Sequence, residues 1–98
     1  VAEQLIRIPW SRKLQQVATA LAQEPEQQRN ANPVHLVARQ LLVLLKLGEI
    51  VPFERALWYV QHNEPAAASG FSDAELRQAL NSVIDVLASR NPMNLMQL

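Results

Sequence analysis

Apolar residues recur at helical spacing in four places along this chain. Trp10, Leu14, Val17 and Leu21 follow one another at steps of four, three and four, which draws one apolar stripe along a helix. Gln15, Gln16, Thr19 and Gln23 lie off that stripe. Glu24-Pro25 ends the segment, because the residue before a proline avoids helical angles. Upstream, Pro9 kinks or restarts the chain, and Ala2 to Ile8 reads as a short helix or an extended arm. Pro25 to Asn32 is polar, rich in Gln and Asn, and reads as a loop.

The second segment has a different pattern. Asn32-Pro33 signals a helix start, with Asn32 as cap and Pro33 in the first helical position. The predicted helix runs from Pro33 to Leu47, and Gly48 stops it by accepting a left-handed conformation after the last turn. Lys46, near that end, suits the helix dipole. Val34, Leu36, Val37, Leu41 to Leu45 and Leu47 point in nearly every direction. A helix apolar all round is buried all round. It is therefore the expected central helix, or one of its faces meets another subunit.

A third helix is predicted from Pro52 to about His62, with Phe53, Ala56, Leu57 and Val60 as its apolar stripe. Pro65 to Gly70 reads as a flexible loop. The fourth helix opens on a capping box, Ser72-Asp73-Ala74-Glu75, with Phe71 placed to staple onto Leu76. Leu76, Leu80, Val83, Ile84 and Leu87 form its stripe, and Asn91-Pro92 closes it. The apolar tail from Met93 to Leu98 is expected to fold back. The fold class that follows is all-α, a small four- to five-helix bundle. It forms a single helical domain over 1–98, with 1–8 as an N-terminal arm or short helix and 92–98 as a C-terminal tail.

Composition narrows the function classes. There is no cysteine, so disulfides, thiolate metal sites and a cysteine nucleophile are excluded, and a reducing, cytoplasmic setting is expected. The longest apolar run, Leu41 to Leu45, is far short of the roughly 20 residues a membrane span requires. Membrane partners and a signal peptide are not expected. His35 and His62 sit on different helices with no paired-ligand motif, so neither a metal nor another cofactor is expected. No nucleophile elbow, phosphate loop or Ser/His/Asp grouping is present, and the carboxylates occupy helix starts and exposed faces. The chain is accordingly expected not to be an enzyme.

Net charge is zero, but residues 1–48 hold six cations against three anions and residues 49–98 hold the reverse. Such a chain pairs its own halves or pairs with a second copy. Arg7, Arg12 and Lys13 surround Trp10, and two of these cations fall in a first helical turn, where acids are the better choice. Arg7, Trp10, Arg12 and Lys13 are therefore candidate partner-binding residues, and Trp58 and Tyr59, flanking the third stripe, form a second aromatic pair. The expected function is protein–protein interaction, as an adaptor, regulatory or assembly module that forms a homo-oligomer. The alternative is a nucleic-acid-binding regulator that uses the basic N-terminal segment. A helix-turn-helix built from Leu44 to Gly48 and the helix after Pro52 is disfavoured. Its reading element carries Glu54, Arg55, Gln61 and His62 between Glu49 and Glu64 and is net acidic.

Overall fold

The computed structural model describes residues 4–25, 31–48 and 50–97, and 72% of these are helical. In chain order they form β1 (Leu5–Arg7), α1 (Arg12–Ala22), α2 (Pro33–Leu47), β2 (Ile50–Pro52), α3 (Phe53–Asn63), α4 (Pro65–Ala68), α5 (Asp73–Leu87) and a C-terminal 3₁₀ helix (Pro92–Gln97). The expected all-α bundle is present, with a two-stranded ribbon added to it.

The local signals account for the helix starts. Ser11 Oγ accepts the amide hydrogen of Leu14 at 3.4 Å, and Asn32 Oδ1 accepts that of Val34 at 2.9 Å. The Ser72–Glu75 box closes in both directions, at 3.1 and 3.4 Å. The stripes then turn inward. Leu14, Val17 and Leu21 of α1, Phe53, Ala56, Leu57 and Val60 of α3, and Leu76, Leu80, Val83 and Leu87 of α5 are all buried. Ile84 is half-buried at the stripe's edge. α2 runs through the middle, in contact with α1, α3, α4, α5, β2 and the 3₁₀ helix. Its Leu36, Val37, Ala38, Leu41, Leu42 and Leu45 are sealed from solvent.

Of the two readings of the N-terminal segment, the extended one holds where it is described: β1 pairs antiparallel with β2 in the register Leu5–Pro52, Ile6–Val51, Arg7–Ile50. Alternation along the ribbon sends Ile6 and Val51 into the core and leaves Leu5, Arg7 and Ile50 outside. Other expectations need correction. This pairing also changes the end of α2. Gly48 is not left-handed but extended (φ −168°, ψ 151°), and β2 begins two residues on at Ile50. Pro52 belongs to the ribbon as well and caps α3, which begins at Phe53. Pro65–Ala68, expected as loop, forms one helical turn, with Pro65 at its first position and three alanines after it. The tail does fold back, as a 3₁₀ helix against α1 and α5 that buries Pro92 and Leu95. Of the predicted Pro25–Asn32 loop, residues 26–30 lie outside the described residues, as do residues 1–3, Glu49 and Leu98.

One buried polar cluster ties three elements together. The His35 ring at the start of α2 places Nδ1 3.0 and 3.1 Å from the two carboxylate oxygens of Glu24, just past α1. Its Nε2 lies 3.2 Å from the carbonyl oxygen of Leu95 in the 3₁₀ helix. Among the described residues no helix is long and apolar enough to cross a membrane.

Candidate interaction surface

The apolarity of α2 on every side leaves part of it without cover. At its midpoint the helix is pinned to the end of α3. Arg39 donates to the carboxylate of Glu64 at 2.8 Å, and the Asn63 amide donates to the buried Gln40 side chain at 2.7 Å. The Arg39–Glu64 pair joins the basic half of the sequence to the acidic half. Beyond the pin, toward the C-terminus, Val43 is 45% exposed and Leu47 82% exposed. They stand one turn apart on the same face.

Two hollows flank this ridge. Between α1 and α2 lies one of about 280 Å³, walled by Trp10, Ala18, Ala22, Leu42, Val43 and Lys46 among others. On the other side Leu44, Leu47, Ile50, Pro52 and Arg55 line a second hollow of about 260 Å³. Ile50 is itself 53% exposed and pairs across the ribbon with Arg7. Trp10, just before α1, shares the first hollow with Val43, Leu47 shares the second with Ile50, and the Val43–Leu47 turn of α2 links the two into an apolar strip. Isolated exposed apolar residues are ordinary, whereas a contiguous patch rimmed by polar groups marks a place where something binds.

The rim has one sign of charge. Arg39 and Lys46 border the first hollow and Arg55 the second, and no described carboxylate lines either. Glu54 of α3 and Asp73 of α5 are engaged elsewhere. Arg77 donates to Glu54 at 2.7 and 3.1 Å and to Asp73 at 2.7 Å. The hydrogen bond from Arg77 holds the Asp73 carboxyl below the usual carboxylate range, and its bonds to Glu54 and then Asp73 push the guanidinium further up.

The structure separates the residues singled out from the sequence. Trp10 is half-buried against the core and walls the first hollow, and Arg7 faces out opposite Ile50. Lys13 turns away and donates to the carbonyl oxygen of Arg90, past the end of α5, at 3.0 Å. A cation there suits a helix C-terminus, which relieves the conflict of a lysine in the first turn of α1. Arg12 is exposed on α1 and lines neither hollow. Trp58 is exposed but stacks on its neighbour His62, with ring centroids 4.3 Å apart. Tyr59 is half-buried, and neither it nor Trp58 reaches the strip. Sequence reasoning missed Val43, Lys46, Leu47, Ile50 and Arg55 as a group. The one signal was the all-round apolarity of α2, which does not say which face stays open.

Among the described residues no three His, Asp or Glu side chains gather to hold a metal ion. Comparison with protein-family models, with curated proteins and with solved structures finds no match to this chain.

Proposed function

We propose that this chain is a non-enzymatic protein–protein interaction domain, an adaptor, regulatory or assembly module, that engages its partner through the open face of α2. One observation carries the reading: Val43, Leu47 and Ile50 are apolar and exposed beside a ready-made hollow walled by the half-buried Trp10. Burying such a strip is favourable at roughly 25 cal/mol per Å² of apolar surface, before the costs of association. Self-association, the other expectation from the sequence, has a narrower basis here and is not part of this proposal. Most of the apolar surface of α2 is covered within the chain, and Val43 and Leu47 are what a second subunit has left to cover. A cytoplasmic setting fits the absence of cysteine.

Site-specific photo-crosslinking tests this. A photoreactive amino acid replaces Leu47 on the open face or, as control, Asn81 on the exposed side of α5. The expected result is a discrete protein adduct from position 47 that is absent from position 81 and lost with Val43→Asp. Equal labelling at the two positions sinks the proposal. An adduct with nucleic acid at position 47 replaces it with the nucleic-acid-binding alternative.

A further inference from the structure

We infer that the partner seated on this face is an acidic amphipathic helix, held across α1 and α2 with its apolar side in the hollow beside Trp10. The inference rests on the proposed use of the open face of α2 and adds the chemistry of the occupant. Three features carry it.

The first is the shape of the hollow. At about 280 Å³ it sits at the small end of the roughly 300–1,000 Å³ range of ligand pockets, a size that a few protruding side chains fill. Ala18 and Ala22, one turn apart on α1, give it a low wall, which lets a third helix approach closely. A groove between two helices that accepts apolar side chains at helical spacing is a recurring mode of peptide recognition.

The second is charge. Lys46 and Arg55 stand on either side of the Val43–Leu47 ridge, and Arg7 stands opposite Ile50. None of the three meets a carboxylate of this chain among the described residues. A partner with carboxylates flanking its apolar stripe meets Lys46 and Arg55, while Arg7 lines a separate hollow beside Lys13 and Pro92, and a basic partner is repelled.

The third argues against a second copy. A two-fold interface places the same patch on both sides. Here it brings Lys46 and Arg55 of one copy toward those of the other with no described carboxylate lining either hollow, a like-charge arrangement that disfavours pairing.

The test uses the whole chain carrying Trp58→Phe, so that Trp10 is its only tryptophan and reports on the hollow. The probes are three synthetic peptides of roughly 18 residues, a length at which helices begin to hold in water. One has leucine at i, i+3, i+4 and i+7 with glutamate elsewhere. The second has lysine for every glutamate, and the third has serine for every leucine. Only the first is expected to shift the emission of Trp10. Lys46→Glu with Arg55→Glu is expected to weaken it by about tenfold or more and to admit the lysine peptide instead. Both positions are exposed, so an unchanged far-ultraviolet circular dichroism spectrum confirms that the variant folds.

Equal binding of the first two peptides, or no shift with any, overturns the inference. So does a short DNA duplex that competes for the face and is lost with the same charge reversal. A dimer in sedimentation equilibrium that Val43→Asp dissociates overturns it in favour of a second copy. A protein adduct at position 47 without peptide selectivity removes the acidic helix and leaves the interaction-domain reading standing.

Discussion

Leu36 and Val43 stand two turns apart on one face of α2, yet Leu36 is fully buried and Val43 is 45% exposed. Helix, face and residue class are the same, so the cause lies in the neighbours. The first half of α2 is fastened on several sides: His35 to Glu24 and Leu95, Arg39 to Glu64, Gln40 to Asn63. The second half is bordered by α1 and β2, and among the described residues no such side-chain tie crosses its outer face. One helix thus does two jobs, organising the core at its start and offering an apolar ridge at its end.

The largest effect that tests this division is expected in the closed half. His35→Ala removes the only described partner of the Glu24 carboxylate, which is nine-tenths buried, and frees the carbonyl of Leu95. Leaving a buried carboxylate without its hydrogen-bond partner costs more than the roughly 1–3 kcal/mol of a neutral buried group, and the lost ring leaves a cavity besides. Urea denaturation should show that loss, together with earlier exchange of the amides in the 3₁₀ helix. A loss below about 1 kcal/mol, the usual worth of an exposed pair, removes the cluster as an anchor of the closed half.

The direct comparison is Leu36→Ala against Val43→Ala. The first opens a cavity in a sealed site and is expected to cost about 2–5 kcal/mol. The second shortens a side chain already half in water and is expected to stay within about 0.5 kcal/mol. Similar losses at the two positions would mean that the two halves are packed alike and would erase the open face.

How much of this is legible in the sequence follows from the range of each interaction. The helix starts are short-range. Ser11, Asn32 and the Ser72–Glu75 box each act on an amide two or three residues away, and the last two are where the local pattern predicts them. The ribbon is not, because Arg7 meets Ile50 across forty-three positions, and neither run is long enough to show a strand period. The candidate site depends on that ribbon. Ile50 joins the strip because β2 carries it there, and Trp10 reaches the hollow because the chain between β1 and α1 crosses to it. Lys13 shows the same limit from the other side. Its charge at a helix start reads as a conflict until the carbonyl of Arg90, seventy-seven residues away, supplies a partner.

The smallest expected effect is the one whose sign is most informative. Gly48 marks the point where the open half of α2 hands over to β2. A glycine just past a helix is usually there for its left-handed conformation, which any other L-residue adopts at a cost of about 1–2 kcal/mol. In this chain Gly48 is extended, and a Cβ built on it meets no atom within 4 Å. Gly48→Ala therefore removes freedom from the unfolded chain and nothing from the folded one, and a gain of about 0.4–1 kcal/mol is expected. A loss of a kilocalorie or more would place Gly48 in the left-handed region after all. The chain would then leave α2 in another direction, the register of Arg7 with Ile50 would fail, and Ile50 would drop out of the strip. Thermal unfolding of the single variant decides between the two, because the geometries predict changes of opposite sign.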